Sequence, residues 1–200
     1  MGYQYRISTQ QAGNFGLAQS RRRVIVWGTI LDNHLAYYPE PTHRFHKIAI
    51  NLTDYCVPHP AQTIYDVVAN LEGFEYDNNI KIDTVYIGKM QTNYIMKPFS
   101  EFQRLSRQSA MKYFNHVTRS FNDITVERIC RISMVPGSDH SSLSEKLKLW
   151  CLSRKGLFAR LDFKGHFLTA LTDIQSMGKQ DTVIHLSQNK VITVREYGRA

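Results

Sequence analysis

Pro60-Ala61-Gln62-Thr63-Ile64-Tyr65-Asp66-Val67-Val68-Ala69-Asn70-Leu71-Glu72-Gly73-Phe74 is the stretch on which the fold class turns. Ile64, Val67, Val68 and Leu71 stand at the i, i+3, i+4, i+7 spacing that stacks side chains on one helical face. Pro60 suits the first turn and Gly73 a left-handed C-terminal cap, so the spacing predicts a helix over 60–74. Outward from it the pattern changes to short alternating runs. Strands are expected at Val24–Trp27, at Lys47–Leu52 after the turn-forming Tyr38-Pro39-Glu40-Pro41, at Ile80–Gly88 and at Ile124–Val135. Ser142-Leu143-Ser144-Glu145 matches a capping box and predicts a helix through Cys151 that Gly156 stops. Leu157–Phe163 alternates and turns at Gly165 towards a partner near Phe167–Leu171. A last pair, Thr182–Leu186 and Val191–Arg195, is joined across Ser187–Lys190. The sum is an α+β chain: a single compact domain over 23–200, its antiparallel sheet packed by a few helices. Residues 1–22, rich in Gln, Ser, Gly and Asn, are expected to be a mobile, flexible basic arm.

With 200 residues, 42% hydrophobic and 21% charged, the chain has enough apolar material for a core, which excludes general disorder. No period repeats, which excludes solenoids and fibres. The longest uncharged, mostly apolar run is Val24–Leu31, far short of the roughly 20 residues a membrane span needs. Arg21-Arg22-Arg23 ahead of that run lacks the cleavage site of a signal sequence, and Arg6 stands where a myristoylated Gly2 would need Ser or Thr. Cys56, Cys130 and Cys151 lie apart with no CxxC, which points to a reducing compartment.

The formal charge is +8, with 25 basic and 17 acidic residues, and it is unevenly spread. Residues 1–23 carry four arginines and no acid, whereas 24–100 carry five basic residues against eight acidic ones. The excess returns after residue 100. Cationic ends around an acidic middle suit polyanions and also suit self-association.

Signatures of catalysis are missing. Gly88-Lys89 and Gly178-Lys179 lack the rest of a P-loop, and neither a nucleophile elbow nor HExxH occurs. His43 with His46, and Cys56 with His59, are half-sites for a metal without a closing pair. Adhesive features are present instead. As a helix, Ser100–Ser120 would gather Phe102, Ala110, Phe114 and Val117 on one side and Arg104, Arg107, Lys112, His116 and Arg119 on the other. Leu105 and Met111 intrude on the polar side and make that surface sticky. A second basic cluster comprises Lys146, Lys148, Arg154, Lys155, Arg160 and Lys164. Tyr37, Tyr38, Phe45, Tyr113 and Phe114 lie near basic residues without forming an RNP-like run.

Three stretches, in order, resemble the rhabdovirus matrix proteins. Phe45–Leu52 is similar to that family's opening core strand. Thr63–Ala69 followed by Val85-Tyr86-Ile87-Gly88 is similar to its helix leading into a tyrosine-isoleucine-glycine strand, and Glu145–Trp150 with a strand pair ending near Leu171–Ile174 resembles its C-terminal part. The Gln-rich arm and the lack of a late-domain motif at Tyr38–Pro41 fit a plant-type or divergent member.

The resemblance implies a non-enzymatic viral matrix protein that self-associates, condenses the ribonucleocapsid and links it to the envelope and glycoprotein during assembly and budding. Its implied partners are further copies of itself, the nucleoprotein–RNA complex, the glycoprotein tail and an anionic membrane surface, with RNA as an additional ligand. No cofactor or metal is expected. The implied location is the virion beneath the envelope, and in the host the cytoplasm at membranes or the nucleus. The residues expected to bind membrane or nucleocapsid are Arg21, Arg22, Arg23, Arg104, Arg107, Lys112, Arg119, Lys146, Lys148, Arg154 and Lys155. The alternative is a viral RNA-binding protein, such as a movement protein or a silencing suppressor, using the same surfaces. An enzyme assembled from distant His and acidic residues is the third class.

Overall fold

The computed structural model describes residues 2–45, 59–76, 85–148, 156–172, 174–176 and 182–200. The expected strand at Lys47–Leu52, the N-terminal part of that at Ile80–Gly88 and the end of the helix towards Cys151 lie outside them, as do His46, Cys56, Arg154, Lys155 and Gly178-Lys179.

The N-terminal stretch expected to be an arm is half of a hairpin. β1 (Tyr3–Gln11) pairs antiparallel with β2 (Arg22–Ile30) over nine residues, from Tyr3↔Ile30 to Gln11↔Arg22. Two-residue alternation explains it. Tyr3, Tyr5, Ile7, Val24, Val26 and Ile30 share one face, which stays largely open to solvent, Tyr5 at 67% and Val26 at 61%. On the other face Trp27 packs against Tyr38 with ring centroids 4.9 Å apart, and the Tyr38 hydroxyl donates to the Ile25 carbonyl at 2.6 Å. A short 3-10 turn, Ala12–Phe15, follows β1.

β3 (His43–Arg44) and β4 (His59–Pro60) form a brief parallel ladder, so Pro60 pairs with Arg44 and does not open the next helix. α1 (Ile64–Val68) starts four residues later, where Thr63 Oγ1 accepts from Asp66 N–H at 3.3 Å and the Asp66 carboxylate accepts from Thr63 N–H at 2.8 Å. It buries Ile64, Val67 and Val68 as the spacing predicts, but ends at Ala69 in a right-handed conformation, well before Gly73.

The long helix expected over 100–120 is two elements. α2 (Glu101–Arg107) is capped by Ser100 and ends at Gln108, φ 52°. The chain then turns into β6 (Lys112–Arg119), antiparallel to β5 (Tyr86–Asn93) with Ile87 opposite Thr118 and Asn93 opposite Lys112. Tyr113, Phe114, Val117 and Thr118 prefer a pleated strand, which is why the apparent helical stripe fails. Gly88, φ +127°, allows the close approach of β5 to β6: a Cβ there would stand 2.5 Å from the His116 carbonyl oxygen.

Residues 124–135, expected to be a strand, contain α3 (Asp123–Arg131). Asn122 caps it by accepting from Thr125 N–H at 3.0 Å, and Asp123 at one end with Arg128 and Arg131 at the other complement the helix dipole. Asp139, rather than Ser142, caps the following 3-10 turn His140–Ser142. β7 (Ala159–Arg160) pairs parallel with β8 (Thr182–Ile184), and Phe167 bridges Gln19 rather than a hairpin partner. Val191 meets Ile184 in a single antiparallel bridge, after which the chain forms α4 (Val194–Tyr197). Ile64, Val67, Ile129, Phe158, Phe167 and Ile184 are the centre of one buried apolar cluster.

Candidate nucleic-acid interface

The cationic residues singled out from the sequence do not share one stripe. Arg22 and Arg23 are exposed at the start of β2, and Arg21 is half-buried beside them, its N–H donating to Gln11 Oε1 at 2.8 Å. Arg104 is tied to Glu101 one turn earlier, and Lys148 to Glu145 at 2.5 Å. Lys146 is exposed. Lys112 and Arg119 occupy opposite ends of β6, which at about 3.4 Å per residue puts them about 24 Å apart. The amphipathic helical surface that was to unite Arg104, Arg107, Lys112 and Arg119 therefore does not exist. Arg160 of the second cluster is wholly buried: its guanidinium donates to the carbonyls of Ser133, His185, Gln188 and Ile132 and to Asn189 Oδ1.

Arg107 has a different task. It donates to the Met96 carbonyl at 2.8 Å and to the Ala110 carbonyl at 3.0 Å, and its guanidinium lies 4.5 Å over the Tyr94 ring. The Tyr94 hydroxyl accepts from Arg199 at 2.8 Å, and Arg199 donates to the Val67 carbonyl and Asn70 Oδ1. The far end of the β5–β6 ladder is thus fastened to α1 and to the C-terminal segment.

A buried polar network anchors β6 itself. Lys190 Nζ is 2.7 Å from both Glu196 oxygens, and Glu196 Oε2 accepts from Thr193 N–H at 2.7 Å. The Thr193 hydroxyl is 3.0 Å from His116 Nδ1, while His116 Nε2 meets the Glu72 carbonyl at 2.6 Å. Since a carbonyl only accepts, His116 carries its proton on Nε2 and Thr193 donates to Nδ1. Burial pushes His116 down to about 4 and His185, 3.6 Å from Glu196, down to about 3, so both are neutral near pH 7. Burial would raise the Glu196 carboxyl, but Lys190 outweighs it and holds it down at about 2. The sequence signal is Thr193-x-x-Glu196, a capping box that overlaps the strand expected over Val191–Arg195 and opens α4 instead.

A cavity of about 540 Å³ lies between the 3-10 turn and α2, walled by Phe15, Leu17, His43, His59, Phe102 and Leu105. His43 and His59 face each other at 5.3 Å between ring centroids; burial lowers the His43 pKa, and His59 adds to the shift. Among the described residues no cluster of three or more His, Cys, Asp or Glu could hold a metal ion, and no helix is long and apolar enough to cross a membrane. Among the described residues, Gly13 and Gly16 lie close together in the turn after β1. The Phe45 ring occupies the space over Gly13 and the His43 ring that over Gly16, which leaves no room there for a phosphate or nucleotide.

The sequence profile of the C-5 cytosine-specific DNA methylases matches residues 1–200. The chain is 34% identical, over an alignment 232 positions long, to DNA (cytosine-5)-methyltransferase 1B of Oryza sativa subsp. japonica, covering 100% of this chain and 15% of that protein. It is 29% identical to DNA (cytosine-5)-methyltransferase 2 of Arabidopsis thaliana, with the same coverage of both chains, and 26% identical to DNA (cytosine-5)-methyltransferase 1 of Gallus gallus, there covering 17% of the relative. The chain thus spans about a sixth of the length of these relatives.

Similarity along the whole chain overturns the likeness to rhabdovirus matrix proteins, which rested on short motifs covering about a third of it. With it go the structural, non-enzymatic role, the viral nucleoprotein, glycoprotein-tail and membrane partners, the virion location and the viral RNA-binding alternative. Spacing of common residue types in an α+β chain is too weak a signal to separate such families.

Proposed function

Because the chain belongs to the C-5 cytosine-specific DNA methylase family, we propose that it is part of a DNA cytosine-5 methyltransferase and that it helps to hold the duplex. The observation that carries this reading is the similarity of the chain, end to end, to enzymes named for methylating cytosine in DNA. The net charge of +8 and the exposed Arg22 and Arg23 supply the electrostatic attraction that DNA phosphates require. C5 of cytosine is inside the stack of a duplex, so an enzyme acting on it must hold the backbone while the base leaves the helix. A rigid scaffold with cationic edges suits the holding part of that work.

A methylase also implies a methyl donor. In the glycine turn after β1 the Phe45 and His43 rings stand over Gly13 and Gly16, so that turn offers no cradle for such a group. Cys130 is half-buried in α3 and within electrostatic reach of Tyr76 and Arg160, a place that suits packing.

Fluorescence anisotropy of the chain with a labelled cytosine-containing duplex, titrated with salt, tests the reading. Binding should weaken linearly in log–log form, and Arg22→Ala with Arg23→Ala should make the slope shallower by about 1.8. Absence of DNA binding at low ionic strength would overturn it.

A further inference from the structure

We propose that the cavity between the 3-10 turn after β1 and α2 is a binding site for a small, flat aromatic cation, a ligand with an apolar ring system and a charged N–H donor. The inference goes beyond the holding of DNA and does not depend on it. At about 540 Å³ the cavity has the size of small-ligand sites, which run from about 300 to 1,000 Å³. Three separate parts of the chain wall it. Phe15 and Leu17 come from the turn, His43 and His59 from the β3–β4 ladder, and Phe102 and Leu105 from α2. Leu105 and Leu17 line the cavity yet remain 59% and 38% exposed, apolar surface that a seated ring would remove from water.

Two polar groups set the chemistry of the ligand. Gln62 lines the cavity, and its side-chain oxygen Oε1 is buried with no hydrogen-bond partner among the described residues. A buried acceptor without a donor is costly, and an N–H from a ligand would relieve it. Glu101 is the second group. The hydrogen bond from Arg104 Nε, at 2.8 Å, holds its carboxyl below the ordinary value, so it is ionised. Both members of that pair are exposed and lie one helical turn apart, where ion pairs contribute little, and the carboxylate keeps acceptor capacity for another cation.

Nothing in the wall competes with a positive ligand. Among the described residues that line the cavity there is no Lys or Arg, and burial together with the neighbouring His59 lowers the His43 pKa, which favours a neutral ring. An anion would face the Glu101 carboxylate, and an uncharged hydrocarbon would leave both acceptors unused. A cation on an aromatic body answers the apolar walls, the orphaned oxygen and the carboxylate together.

Tryptamine, an indole with an ammonium on a short alkyl arm, is the probe, with indole-3-acetate as its anionic counterpart and indole as the neutral one. In titrations of the nitrogen-15-labelled chain, tryptamine should shift the amides of Leu17 and Leu105 and bind about tenfold more tightly than indole-3-acetate at low salt. At about ten times its dissociation constant it should raise the thermal midpoint by about 3–6 °C. Glu101→Gln should erase the preference for amine over acid, and Gln62→Leu should weaken tryptamine about tenfold. Leu105→Arg, at an exposed position of α2, sets a competing cation one turn from Glu101 and should abolish binding while leaving the far-ultraviolet circular dichroism unchanged.

No amide shift with tryptamine at millimolar concentration, or a shift that survives both Leu105→Arg and Gln62→Leu, would overturn the site. Equal affinity for tryptamine, indole and indole-3-acetate would make the cavity a seat for an uncharged apolar side chain and overturn the cationic ligand. Self-association of the chain that Leu105→Arg abolishes would assign the cavity to a second copy and overturn the proposal equally.

Discussion

Removing the ammonium of Lys190 would strand the Glu196 carboxylate in a place without water, since both side chains are almost wholly inaccessible. A buried charge left alone costs far more than the pair contributes when intact, about 3–5 kcal/mol. Lys190→Met should therefore lower the stability read by urea unfolding by about that amount. Adding Glu196→Gln should recover part of the loss, because the amide still accepts from Thr193 N–H and carries no charge. At this scale the sequence was a poor guide. Lys190 had been placed in a linking turn and Arg160 among surface cations, yet Leu157 to Leu161 are all buried and the alternation implied by Leu157–Phe163 is absent. Composition counts a charge, but only packing shows how deep it is.

Elements were legible where their ends carried chemistry and illegible where only their middles were weighed. α1 was anticipated from its apolar spacing, and the Thr63–Asp66 box marks its true start. Thr63→Ala should cost about 1 kcal/mol, measured as a lower thermal midpoint, with the hairpins unaffected. Gly88→Ala should be worse, because the new methyl meets the backbone of β6 and no side chain can move aside; the register of the β5–β6 ladder, followed by amide hydrogen exchange, should loosen first. α3 was mistaken for a strand because Ile124, Thr125, Val126, Ile129 and Ile132 are β-branched, whereas the Asn122 cap and terminal charges decided for a helix. Ser100–Ser120 failed in the opposite sense: the stripe was helical, but Gln108 turns the chain and the aromatic and β-branched run beyond it pairs with β5. The basic surface predicted from that stripe broke up with it, while Met111, noted for its intrusion on a polar face, is exposed just before β6.

The molecule as a whole is expected to be sensitive to mild acid. His116 and His185 have folded-state values of about 4 and about 3, below their ordinary 6.5. Between these limits the unfolded chain binds protons that the folded chain refuses, so stability falls as pH falls. Each histidine contributes about 1.4 kcal/mol per pH unit over its window. Glu196, held down at about 2, adds its own loss below its ordinary 4.5. Calorimetry should find a flat thermal midpoint above about pH 7 and a progressive drop from pH 6.5 towards 4; a midpoint unchanged down to pH 5 would contradict it. The cationic balance visible in the sequence did point to a polyanion, but not to which one, because charge is shared by unrelated proteins; family membership came from similarity along the full chain. Complete enclosure of Lys190 gives that amine a distinct chemical fate. Acylating reagents that modify solvent-facing lysines at once would reach it only after the C-terminal turn lifts away, so the extent of its modification is a clock for the opening of the domain.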